Sequence, residues 1–232
     1  MNCEEWKDNL SRMGCRTLVV DDCWKTPASD YPVQKIGSAE VCRGRYDNNL
    51  YLMEGVKGFD FWCNQKRIPV TILKIDGKQW MVDDPLHQTG MSCLAAKSKG
   101  RVLVGGLGLG LVVHELVKNP KVERIDVVEL NDDVIKLIGP QVPKSKVHIH
   151  KGNVYDEKWD KEDFDTIILD LWVRGRKQDK RPTYVEMLSS VGQFKYHHPK
   201  ADVFVWGMRD SGINPAVEKS PCKFYKEIIS NM

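Results

Sequence analysis

Arg101-Val-Leu-Val-Gly-Gly-Leu-Gly-Leu-Gly110 is the stretch on which the fold turns. Val102, Leu103 and Val104 form a short apolar run with no polar alternation, the pattern of a strand buried on both faces. Gly105, Gly106, Gly108 and Gly110 follow, and Leu109 to Lys118 then reads as a helix. Its apolar stripe is Leu109, Val112, Val113, Leu116 and Val117. Strand, glycine bend and helix together make a nucleotide cradle. The bare backbone can approach a ligand closely, and the helix start carries unpaired N–H groups.

The spacing of the glycines narrows the ligand. The dinucleotide fingerprint needs glycines at its first, third and sixth positions. Counting from Gly106, they stand at the first, third and fifth, and Leu111 occupies the sixth. NAD is therefore disfavoured.

Downstream, strands and helices alternate. Arg124–Leu130 reads as the second strand, with Asn131 as cap and Asp132 and Asp133 in the first turn of the next helix. Val147–His150, Phe164–Leu171 and Asp202–Trp206 read as the third, fourth and fifth strands. Helices are expected over 182–194 and 222–230. This is an α/β pattern: a Rossmann-like parallel-sheet core with right-handed crossovers. Little chain follows the fifth strand, so the sheet is completed by N-terminal strands, by a partner chain or not at all. An open edge would invite a homodimer.

Upstream, Thr71–Ile75 and Lys78–Val82 flank Asp76-Gly77, the turn pair of a hairpin over 70–82. Asp84 and Pro85 look like the cap and first residue of a helix ending near Lys99. Its start carries His87, Gln88 and Thr89. Arg16–Asp22 holds a strand, and 24–50, rich in Pro, Gly, Asp and Asn, reads as loop. Tyr51, Phe59, Phe61 and Trp62 read as core under that cap. Two regions result: a β-rich cap, mainly antiparallel, over 1–92 and the Rossmann-like domain over 93–232.

Composition bounds the function classes. The chain has 232 residues, is 41% hydrophobic and carries a formal charge of +3, too little to argue for nucleic acid by itself. It has no apolar run long enough for a membrane span and no secretory pattern at its start. Its seven cysteines include no C-x-x-C pair, which suits free thiols in a reducing cytoplasm. Cys3, Cys15, Cys23 and Cys42 are spaced too loosely to point to zinc, and His148 and His150 suit a structural role.

Ligands of open parallel sheets bind beyond the carboxyl ends of the strands. Glu129, ending the second strand, can accept both hydroxyls of a ribose. Asn153 and Val154 follow the third strand, and Asp170 ends the fourth, where it can orient an amine or act as a base. Trp172 can stack on a planar group. Arg174, Arg176, Lys177, Lys180 and Arg181 read either as a solvated loop or as a lid recruiting an anionic substrate, nucleic acid included.

Taken together, residues 70 to 208 resemble the class I S-adenosyl-L-methionine (AdoMet) methyltransferases, and more closely the spermidine synthase-like branch. The resemblance rests on Ile75-Asp76-Gly77, His87-Gln88-Thr89-Gly90-Met91, the glycine run 105–110, Glu129 and Asp170, all in the family's order. It implies AdoMet as cofactor, with decarboxylated AdoMet as the alternative. Gly105, Gly106, Gly108, Gly110, Glu129, Asn131, Asn153, Val154 and Asp170 would contact it. Asn153 would meet the adenine amine, and Asp170 matches the family's catalytic Asp. His87, Gln88, Trp172 and Arg174 would face a small-molecule acceptor. The chain departs from the branch at Val173 and Arg174, where Asp-Pro is expected, and at Gln88 and Gly90, where Tyr and Glu are expected. Those departures favour methyl over aminopropyl transfer. A nucleotide-binding protein without turnover is the reading from a different class.

Overall fold

The computed structural model describes residues 2–47, 49–52, 61–64, 66–171 and 184–206. The expected helix over 222–230 lies outside them, as do Trp172, Arg174 and the rest of the basic stretch. In chain order the N-terminal elements are α1 (Cys3–Arg12), β1 (Thr17–Val20), a 3₁₀ turn at Pro27–Asp30, β2 (Gln34–Ile36), β3 (Ala39–Tyr46), β4 (Asn49–Leu52), β5 (Phe61–Asn64), β6 (Ile68–Ile75) and β7 (Lys78–Val82). Then follow α2 (Pro85–Lys97), β8 (Gly100–Gly105), α3 (Leu111–Lys118), β9 (Val122–Glu129), α4 (Asp132–Ile138), β10 (Val147–Lys151), α5 (Glu157–Asp160), β11 (Thr166–Leu169), α6 (Tyr184–His197) and β12 (Asp202–Val205).

The largest sheet has five parallel strands in the order β10-β9-β8-β11-β12. It is an α/β fold covered on both faces, as the unalternated strands require. Val102 and Val104 of β8 pack with α2, α3 and α4 through Leu94, Val112, Leu116, Val134 and Leu137. Leu103 turns to the other face, toward Phe194 of α6 and Trp159, Phe164 and Val203. Strand order reverses direction between β8 and β11, so their carboxyl ends splay apart and leave a crevice there.

One buried charge stabilises this sheet from its amino end. Asp126 of β9 is fully buried and accepts from Arg124, Arg101 and His150, each at 2.9 Å. Burial alone would raise its pKa, but these donors outweigh it and hold the carboxyl at about 2. His150 thus has the structural role its position suggests.

The N-terminal strands do not extend the parallel sheet. β2-β3-β6-β7 form an antiparallel sheet, and β1-β5-β4 a second, mixed one in which β1 runs parallel to β5. The hairpin is as expected: Asp76 and Gly77 both have positive φ, 51° and 73°. The loop reading of 24–50 is wrong over 34–46, where β3 pairs with β6 along its whole length. Its buried-then-half-buried alternation begins at Ala39 and fades toward Arg43–Arg45, which carry the charge that hid the strand. The expectation that all cysteines are free also fails. Cys3 of α1 and Cys63 of β5 form a disulfide, while Cys23 and Cys42 are free. The cysteine argument for a reducing compartment goes with it. Phe61 and Trp62 are buried, as expected of core aromatics. His197 ends α6, and His198 just beyond it is buried and stacks on Phe194.

The antiparallel sheet grips the parallel one at the glycine bend. Tyr31 Oη lies 3.1 Å from the Leu109 carbonyl and 2.8 Å from His114 Nε2 of α3. On the other flank, Asp133 of α4 accepts from the Ser38 amide at 2.8 Å. No helix among the described residues is long and apolar enough to cross a membrane.

Candidate functional site

A cavity of about 480 Å³ opens at the carboxyl ends of the parallel strands. Gly106, Gly108, Glu129, Asn153, Val154 and Asp170 line it from the sheet. Met81, Asp84 and His87 close it from the hairpin and the start of α2. Tips of β8, β9, β10 and β11 therefore converge on one space, as the strand order requires.

The glycine bend is needed for two close approaches. Gly106 has φ 92°, and a Cβ there would stand 2.5 Å from the Asp170 carbonyl oxygen. Gly108 has φ 51°, and its Cβ would stand 2.5 Å from Met81 Sδ. Gly106 is closed to other residues by backbone packing and by conformation, and Gly108 chiefly by its positive φ. Four of the bend's amides have partners within the protein. Gly106 N donates to the Val128 carbonyl at 2.9 Å, and Gly110 N to the Leu107 carbonyl at 2.7 Å. Leu107 N donates to Glu129 Oε2 at 2.8 Å, and Leu109 N to Met81 Sδ at 3.1 Å.

Glu129 is half-buried at the cavity edge, and its second oxygen accepts from the Asn131 amide at 2.8 Å. Two backbone donors thus fix the carboxylate while leaving it lone pairs for further donors. Asn153 is exposed at the rim, its Oδ1 accepting from Tyr155 N at 3.1 Å. Val154 beside it is buried.

Asp170 follows β11 and donates its backbone N–H to the Gly105 carbonyl at 2.9 Å. Its side chain lines the cavity and the residue is half-buried. Desolvation raises its pKa above the ordinary carboxylate value, and the nearby His87 offsets part of that. A carboxylate in such surroundings is a better proton acceptor than a solvated one. His87 reaches the site because Asp84 caps α2, accepting from the His87 amide at 2.9 Å.

Other residues singled out by sequence have different places. Gly105 ends β8 beneath the bend, and Gly110 caps α3 against Val142, 2.3 Å from where a Cβ would stand. Asn131 caps α4 and donates to Ser38 Oγ at 3.2 Å. Gln88 turns away to Glu115 of α3, at 3.1 Å. None of these four lines the cavity. Sequence reasoning passed over Tyr46, Trp80, Tyr155 and Trp206, which do. Trp80 stands on the outer hairpin strand and is 45% exposed, an oddity for Trp that could have marked it.

No family model matches the chain, and no curated protein sequence matches it. Among solved structures it is similar to a spermidine synthase from Thermotoga maritima, at 14% identity and TM-score 0.36, over 62% of this chain and 59% of that one. A spermidine synthase bound to the transition-state analogue AdoDATO is similar at 15% and 0.36, over 64% and 59%. A precorrin-8W decarboxylase from Methanobacterium thermoautotrophicum is similar at 18% and 0.36, over 51% and 60%. The chain spans about three fifths of the length of each of these proteins. Overlap at that level is a distant likeness of chain path and says nothing about the reaction.

Proposed function

We propose that the chain is an AdoMet-dependent transferase, a methyltransferase in the first reading. The observation that carries this is the convergence of Gly106, Gly108, Glu129, Asn153 and Asp170 on one cavity. These residues suit an adenosyl group. Glu129 offers oxygens to two ribose hydroxyls, Asn153 an amide to the adenine edge, and Leu130 and Val154 apolar surface to its faces. When bound, AdoMet supplies an activated methyl group on a sulfonium. The protein's own part is to orient and to manage a proton. The glycine bend lets the ligand's sulfur end approach the backbone. Asp170 Oδ holds the acceptor's donor group and takes its proton. The mouth, formed by the hairpin, limits water. Positioning of this kind supplies most of the catalysis in such transfers.

One observation favours the second reading, aminopropyl transfer from decarboxylated AdoMet. Among the described residues the cavity wall carries three carboxylates, Asp84, Glu129 and Asp170, and no Lys or Arg. Such a wall has no Lys or Arg for the carboxylate of intact AdoMet and disfavours an anionic acceptor. Calorimetric titration with AdoMet, decarboxylated AdoMet, methylthioadenosine and NADH separates the readings. Binding of the three adenosyl sulfur compounds is expected, and the tighter of AdoMet and decarboxylated AdoMet selects the reaction. Binding of NADH alone would overturn both.

A further inference from the structure

α2 carries an unexplained cost. Gly90 sits in the interior of this helix, where glycine is less favourable than alanine by about 1 kcal/mol. The space around it supplies the reason. A Cβ on Gly90 would stand 2.2 Å from both Cη2 and Cζ3 of Trp206. The indole occupies the volume that any side chain at position 90 would need.

Trp206 is fixed from three sides. Its backbone N–H donates to the Leu169 carbonyl at 2.9 Å, which ties it to the strand leading into Asp170. Its ring lies 5.1 Å from that of His87, tilted by 33°. Gly90 seats the ring's far edge. Strand order then decides which part of the cavity it bounds. Asn153 and Glu129 follow β10 and β9, at one end of the sheet, and Trp206 follows β12 at the opposite edge. Four strand spacings separate β10 from β12, about 19 Å. The adenosyl-facing residues lie at one end. Asp170, His87, Asp84, Tyr46 and Trp206 form the other, which is acidic and aromatic.

We propose that Trp206, lodged against Gly90, is the end wall of the acceptor half of this cavity and restricts the acceptor to a compact ammonium compound. This rests on the transferase reading above. Carboxylates attract the charged head, and an aromatic face beside them accepts a cation. A longer chain meets the indole. Trp206 is thus a specificity-determining residue: it sets the length accepted and leaves transfer itself to Asp170.

The test uses n-alkylamines from propyl to octyl as probes, titrated into the full chain saturated with methylthioadenosine. In the wild type, affinity should rise with chain length and then fall once the chain reaches the wall. Trp206→Ala should move that break to longer amines and raise the octylamine-to-propylamine affinity ratio by roughly tenfold or more, the scale of methylene discrimination in apolar pockets. Trp206→Phe should give a smaller shift of the same sign. Methylthioadenosine binding reports folding and the cofactor reading separately. If it binds and Trp206→Ala leaves the ratio unchanged, the wall is refuted and the transferase reading stands. If the saturated wild type takes none of the amines, the acceptor class is refuted. If methylthioadenosine does not bind the wild type, both readings fall. Should Trp206→Ala fail to fold, an unmoved ratio in Trp206→Phe refutes the wall.

Discussion

Glu129→Ala is the most informative single change in the site. In the free protein its two oxygens hold the amides of Leu107 and Asn131, each at 2.8 Å. Removing the carboxylate releases both donors at a half-buried position that water can reach. The cost to stability is therefore less than for two buried orphans, about 1–2 kcal/mol in total. The cost to binding is separate. A carboxylate that accepts from ribose contributes about 1–3 kcal/mol, so the dissociation constant for methylthioadenosine should rise by roughly 5- to 150-fold. Glu129→Gln keeps one acceptor and turns an NH₂ toward the other amide, so it should fall between the two. Calorimetric titration measures the affinity, and thermal melting of the ligand-free variants measures the stability. A melting temperature that falls while affinity stays within twofold of the wild type would refute the ribose role. The carboxylate would then serve only to brace the bend.

Two further predictions concern stability. Because the folded protein raises the pKa of Asp170 above its unfolded value of 3.8, the folded state binds the proton more tightly. Ionising the group therefore costs stability as pH climbs from the unfolded value through the folded one, and the loss persists at neutrality. Asp170→Asn should unfold at higher urea than the wild type near pH 7, with the gap closing near pH 3.5, while transfer is lost; an equal gap at both values would refute the assignment. The Cys3–Cys63 disulfide spans 60 residues, for which loop entropy gives about 4 kcal/mol. Cys63→Ser, or reductant added to the wild type, should lower the melting temperature by several degrees, and unchanged melts would count against the link.

What could be read in advance was whatever depends on neighbours in sequence. The β8–bend–α3 unit, the Asp76-Gly77 hairpin and the Asp84 cap are each specified by a few adjacent residues, and they lie within about two residues of their expected bounds. β3 was hidden because its strand character comes from pairing with β6, some thirty residues on. Arg43, Gly44 and Arg45 give no such signal locally. Gly44 even has a packing reason, since a Cβ there would meet Ile72 Cδ1 at 2.6 Å. His87 and Gln88 show a different limit. Successive helix residues differ in direction by about 100°. A helix start aimed at a site can therefore present only one of the two, and packing on α3 took Gln88. Trp206 was invisible as a site residue, although Gly90 in mid-helix was its trace in the sequence.

Where the bend's N–H groups point bears on whether a nucleoside or a dinucleotide would fit. A phosphate-binding loop works because successive amides are left free to face the anion. Here Gly106, Leu107, Leu109 and Gly110 all donate inward, to Val128, Glu129, Met81 and Leu107. A pyrophosphate would have to break those bonds, and at Leu107 it would also meet the Glu129 carboxylate. Met81 contributes from outside the parallel sheet. Its sulfur takes up the Leu109 amide and fills the space above Gly108. A hairpin from the N-terminal region thus finishes the glycine bend and occupies a donor that a phosphate would need. NADH should therefore bind at least tenfold more weakly than methylthioadenosine in the titrations above, a difference of about 1.4 kcal/mol. Equal affinity would mean that the bend reopens on binding, and the inward amides would then no longer argue for a phosphate-free ligand.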